Sequence, residues 1–108
     1  MAIQKNTKFP NFYEVHHPLL QHKLSMLRDE KTDTKEFKAL VNEITLLMAY
    51  EVTKDLPTKM AIVKTPLASC EVPVLTGKKP VILPILRAGI GMVDAFLTLM
   101  PSARVAHI

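Results

Sequence analysis

Apolar positions in this 108-residue chain change their period several times, and each change marks an element. After Pro18, Leu20, Leu24 and Leu27 form one stripe of an amphipathic helix. Pro18 suits its first position, where no N–H is required. A charged turn follows over 28–34. Within it Asp33, with Glu36 three residues on, resembles a capping box in which Asp replaces Ser or Thr. The spacing then predicts a long helix over about 34–55, with Phe37, Leu40, Val41, Ile44, Leu47 and Met48 on one face. At ~1.5 Å per residue it spans roughly 30 Å, and Pro57 stops it. The short turn between these helices predicts an antiparallel pair, whose apolar faces call for a sheet to cover. Strand-like runs at 60–64 and 71–75 read as an antiparallel arm, with Pro66 and Pro73 marking edge or projecting strands. Residues 81–86 are a short, β-branched apolar run and read as a buried strand. Met92, Val93, Phe96, Leu97 and Met100 return to helical spacing behind Gly89 and Gly91, and Pro101 closes that helix. Residues 104–108 turn back to strand pattern. The connection has βαβ length, which predicts a parallel pair with a right-handed crossover. Residues 1–13 are polar and irregular, a tail or a strap on the core.

This order gives the first functional inference. Ligands of open α/β sheets bind beyond the carboxyl ends of the strands, where residues 87–91 lie. Gly89 and Gly91 allow close backbone approach, a helix N-terminus offers free N–H groups, and Arg87 presents a fork matched to phosphate oxygens. A tight turn and a surface ion pair account for the same residues, so spacing alone leaves both readings open.

The stretch Pro-Ile-Leu-Arg-Ala-Gly-Ile-Gly-Met-Val-Asp over 84–94 resembles the pyrophosphate-loop segment of uracil phosphoribosyltransferases. The resemblance continues into Pro-Ser-Ala-Arg at 101–104. It also runs back through His-Pro-Leu-Leu-Gln-His-Lys-Leu at 17–24, Met-Leu-Arg at 26–28 and Leu-Met-Ala-Tyr-Glu at 47–51. Several separated blocks in order, from about residue 17 to the end, are far more specific than the loop alone. The resemblance implies an α/β fold: a type I phosphoribosyltransferase-like parallel sheet flanked by helices, incomplete here, with an N-terminal helical pair and a projecting β-arm. Along the chain the division is a tail over 1–16, a helical pair over 17–56, the arm over 58–76 and a βαβ unit with the pyrophosphate loop over 80–108. The implied reaction is uracil plus phosphoribosyl pyrophosphate to UMP plus pyrophosphate, a glycosyl transfer of pyrimidine salvage. Magnesium travels on the pyrophosphate. Arg87 is the position matching the family's phosphoribosyl-pyrophosphate contact, with Ala88 and Gly89 as backbone contacts. No residue is assigned a catalytic or metal-ligating role. A homodimer or higher homo-oligomer is implied, and GTP is an effector of some members, though no residue here places its site.

Composition adds limits. Hydrophobic content of 48% and charged content of 22% are those of an ordinary globular chain. A net charge of +4 fits an anionic substrate and equally a plain basic surface. No dense Lys/Arg run with interleaved aromatics points to nucleic acid, and four Phe with two Tyr and no Trp are too scattered for base stacking. Cys70 is the single cysteine, which forbids an internal disulfide and favours an ordinary thiol in a reducing compartment. His17 and His22 lack metal-ligand spacing and read as caps or decoration. Glu51 reads as a solvated helix charge. No apolar run has membrane-spanning length and the first residues lack a signal-peptide core, which points to the cytoplasm.

The strand pattern is still running at Ile108, and a two-stranded parallel sheet cannot bury itself. The expectation is the amino-terminal part of a larger domain, inactive by itself. A phosphoribosyl-binding regulator without catalysis and a fragment that only dimerises through the arm are the rival readings.

Overall fold

The computed structural model describes residues 3–84 and 89–106. Of residues 1–13, expected to be irregular, the described part, 3–13, instead forms most of a hairpin. Strand β1 (Ile3–Lys5) pairs antiparallel with β2 (Tyr13–Val15), Ile3 opposite Val15 and Lys5 opposite Tyr13. Asn6 closes the loop. Its Oδ1 accepts from the N–H of Lys8 at 2.8 Å and of Phe9 at 2.9 Å, while its own N–H donates to the Phe12 carbonyl at 2.8 Å. An Asn side chain that imitates a backbone turn is enough to fold a segment too polar to show apolar alternation.

Helix α1 (Pro18–Arg28) starts at its proline, with the His17 ring Nδ1 accepting from Leu19 N–H at 3.2 Å. Helix α2 (Thr34–Val52) is capped by Asp33, whose carboxylate accepts from Glu36 N–H at 2.8 Å. It ends three residues short of the expected 55, because Thr53 rather than Pro57 stops it. The Thr53 N–H and Oγ1 both bond the Ala49 carbonyl, at 3.0 and 2.7 Å, and tighter turns through Lys54 and Leu56 follow. Lys23 Nζ meets Glu43 Oε2 at 2.9 Å and links α1 to α2.

Strands β3 (Thr58–Lys64) and β4 (Ser69–Leu75) form the antiparallel arm, Met60 facing Pro73 and Ala61 facing Val72. Thr65 N–H bonds Ala68 O, and Thr76 N–H bonds Pro57 O. Counting alternate pairs between these two bonds places Pro73 at a non-bonded position, where its missing N–H faces outward and costs the ladder nothing. Gly77, at φ +85°, turns the chain from the arm toward the sheet.

Strand β5 (Val81–Ile82) is followed, beyond the undescribed 85–88, by a single 3-10 turn (Ile90–Met92), α3 (Val93–Leu99) and β6 (Arg104–Val105). β5 and β6 pair in parallel, Val81 with Arg104 and Ile82 with Val105. The regular strand is shorter than the expected 81–86: Leu83 and Pro84 carry no strand structure, and 85–86 lie outside the described residues.

Helix α2 is the centre of the packing. It lies against α1 and against both the 3-10 turn and α3. The sheet, expected to cover the helical pair, is too small for that, and α3 covers α2 instead. Among the described residues the buried ones are few: Leu20 on α1, Leu40, Thr45 and Ala49 on α2, Pro84 after β5, and Ala95 on α3. The radius of gyration is 17.3 Å, against roughly 13 Å for a compact chain of this length. The hairpin β3–β4 stands away from the helices with Met60, Ile62 and Leu67 exposed, and accounts for part of this extension.

Candidate functional site

In the sequence, β5 is followed by the residues expected to form a pyrophosphate loop. Arg87 and Ala88 lie outside the described residues. Gly89, the third expected contact, is partly buried and opens the 3-10 turn, its carbonyl accepting from Met92 N–H at 3.1 Å. Gly91 sits in the middle of that turn. Its φ is not positive, and a Cβ built on it meets nothing within 4 Å. Neither its backbone conformation nor its packing against the described residues therefore requires glycine at 91.

Beside this turn is an apolar groove of about 500 Å³. Ile82, Leu83 and Pro84 form one wall, Gly89, Met92, Val93 and Phe96 the other, and Thr45 of α2 its floor. Thr45 is 4% exposed, and its hydroxyl donates to the Val41 carbonyl at 2.7 Å. That bond uses the hydroxyl's proton and leaves its oxygen as an acceptor, and the other lining side chains are apolar, so the groove has little polar capacity. It can pack apolar surface, and it leaves charge recognition to the adjoining loop. Thr45 escaped sequence reading; a polar residue inside the apolar run Ile44 to Met48 was its only signal.

Helix α3 has seven residues and no side chain capping its start. Its dipole is correspondingly modest, and Asp94 in the first turn complements it. The N–H groups available to an anion here are those around the 3-10 turn. The other cations near the sheet, Lys78, Lys79 and Arg104, flank a separate cleft at the amino ends of the strands with Gly77 and Val81, away from this turn. Tyr50 is exposed and Glu51 half-buried at the far end of α2, and neither is among the residues lining the groove. His17 is used as a helix cap. Cys70 is an exposed thiol on the arm.

A parallel strand pair joined through a glycine-bearing turn and a helix defines an α/β protein. A family model described as uracil phosphoribosyltransferase matches residues 14–108, and the chain belongs to that family. It is 52% identical over 106 residues to a uracil phosphoribosyltransferase of Burkholderia ambifaria (strain MC40-6), covering 98% of this chain and 49% of that protein. A uracil phosphoribosyltransferase of Burkholderia mallei (strain SAVP1) is 51% identical over the same coverage. The chain thus spans about half the length of the curated relatives it matches. Among solved structures, the AQ2163 protein from Aquifex aeolicus superposes with a TM-score of 0.80 at 29% identity, over 87% of this chain and 45% of that one. Among the described residues, no helix is long and apolar enough to cross a membrane.

Proposed function

We propose that this chain supplies the pyrophosphate-binding part of a uracil phosphoribosyltransferase site. In the reaction, the bond from the anomeric carbon to pyrophosphate breaks, a ring nitrogen of uracil forms the new bond and loses its proton, and UMP and pyrophosphate result. The anomeric carbon gains positive character as pyrophosphate leaves, so positioning and stabilisation of leaving-group charge carry the catalysis. Arg87 serves that second task as a bidentate phosphate partner, with the backbone N–H groups of 88–91 beside it. The observation that supports this reading is the open space at Gly91: a Cβ there meets nothing within 4 Å among the described residues, in a turn that follows β5, which leaves room for a ligand's approach.

Magnesium enters as part of the substrate. Among the described residues no group of three His, Cys, Asp or Glu could hold a metal ion, and no residue of this chain is assigned to magnesium. No step is assigned to it. GTP as an effector has no residue of this chain attached to it. Self-association through the arm is supported by the exposed Ile62 and Leu67 and by a two-stranded ladder open on both edges. The cytoplasm remains the proposed compartment, supported by the single unpaired cysteine.

The test is a chimera in which this chain replaces the matched 106 residues of the B. ambifaria enzyme. It should form UMP from uracil and phosphoribosyl pyrophosphate, and Arg87→Ala should lower kcat/KM at least a hundredfold. Near-normal kinetics for that variant would sink the assignment. The 108-residue chain by itself should form no UMP.

A further inference from the structure

The turn proposed to receive the pyrophosphate is held loosely by its own bonds. Met92 N–H reaches the Gly89 carbonyl at 3.1 Å, near the long end of the usual range. No side chain caps the start of α3 behind it. Gly89 and Gly91 leave the backbone free to adopt other conformations. Packing must therefore place the turn, and the helix that reaches it from a distant part of the chain is α2.

Thr45 marks that contact. It is 4% exposed, and it is the only residue of α2 among the described lining of the groove, which it shares with Gly89 and Met92. Threonine in a helix divides between two χ1 wells. The 2.7 Å bond from its hydroxyl to the Val41 carbonyl selects between them, and so fixes the γ-methyl as well. The turn thus meets a branched side chain of set direction, whose proton is already used within its own helix.

We infer that Thr45 is a positioning residue for pyrophosphate binding: its branched side chain, locked by the bond to Val41, is the seat that holds the turn at 89–92 ready for the ligand. The inference rests on the family reading of residues 87–91 and adds a residue that touches no substrate. A seated turn has its N–H groups placed before the ligand arrives. An unseated turn is ordered only on binding, and that cost appears as lost affinity. Once the ligand is bound the reacting atoms are unchanged, so turnover at saturation is spared.

The experiment compares three variants in the chimera of this chain with the B. ambifaria enzyme. Thr45→Ala removes the branches and should raise the KM for phosphoribosyl pyrophosphate at least fivefold, with kcat and the KM for uracil within twofold of the parent. Thr45→Val keeps both branches and should stay within twofold on all three. Leu40→Ala truncates a buried side chain of the same helix that does not line the groove, and should lower the melting midpoint while leaving that KM unchanged. An unaltered KM in Thr45→Ala, a fall in kcat without a change in KM, a Val variant that behaves as the Ala variant, or an equal rise in Leu40→Ala would each overturn the inference. If the Ala variant fails to fold, Thr45→Ser, which keeps the hydroxyl and loses only the methyl, decides by the same split with at least a twofold rise in KM. A parent chimera that forms no UMP would refute the functional reading instead. Hydrogen exchange of the Met92 amide in the ligand-free chain then decides the seat alone: at least fivefold faster exchange in Thr45→Ala, but not in Thr45→Val or Leu40→Ala, is expected, and equal exchange in all would overturn it.

Discussion

Replacing Gly91 with alanine separates a glycine kept for folding from one kept for a ligand. Its backbone is outside the left-handed region, and the added Cβ meets no atom of the described residues within 4 Å. Alanine fits there without strain, and it restricts the unfolded chain more than glycine does. The substitution should therefore stabilise the fold by about 0.4–1 kcal/mol. For a domain of this size that raises the melting midpoint by roughly 2–8 °C. Thermal unfolding followed by circular dichroism at 222 nm reads this directly. The functional effect should have the opposite sign. A methyl group in the space proposed for the pyrophosphate should raise the KM for phosphoribosyl pyrophosphate at least tenfold in the chimeric enzyme, with the KM for uracil nearly unchanged. A destabilised variant would show that the turn needs glycine for itself. A stabilised variant with unaltered phosphoribosyl pyrophosphate kinetics would remove Gly91 from the site.

Four further substitutions test the packing and the capping. Leu40 is 5% exposed on α2, and truncation to alanine removes three carbons at ~0.8 kcal/mol each plus a cavity term, or about 2–4 kcal/mol. Phe37 on the same helix is 47% exposed, and Phe37→Ala should cost less than half as much in urea unfolding; equal losses would contradict the burial order. Asp33→Ala removes the acceptor for Glu36 N–H and should cost about 1 kcal/mol, whereas Asp33→Asn should retain most of the cap; equal midpoints for both variants would refute the assignment.

The helices were legible because their signals are local. Pro18 at a first helical position, Asp33 three residues before Glu36, and the stripe through Leu40 need no tertiary information. The period could not rank that stripe. It placed Phe37 and Met48 with Leu40, yet only Leu40 is buried, since burial depends on where α1 and α3 lie. The hairpin β1–β2 was invisible because a side-chain bond from Asn6 sets its turn, while Lys5 and Tyr13 on its strands are exposed and leave no apolar alternation. The end of α2 was placed by Pro57, but the hydroxyl of Thr53 acts earlier. The parallel pairing of β5 with β6 agrees with the expected βαβ spacing, and the family blocks agree with the family match. The groove could not be foreseen, because Thr45 of α2 meets Phe96 of α3 there from distant parts of the chain.

The central claim is that residues 87–91 of this chain hold the pyrophosphate of phosphoribosyl pyrophosphate. The most direct measurement is a titration of the 15N-labelled chain with magnesium and phosphoribosyl pyrophosphate, followed by amide chemical shifts. The account requires saturable shifts centred on Arg87 to Gly91, lost in Arg87→Ala, with the amides of the arm unmoved. Shifts concentrated around Lys78, Lys79 and Arg104, or none at all over 87–91 at millimolar ligand, would contradict it.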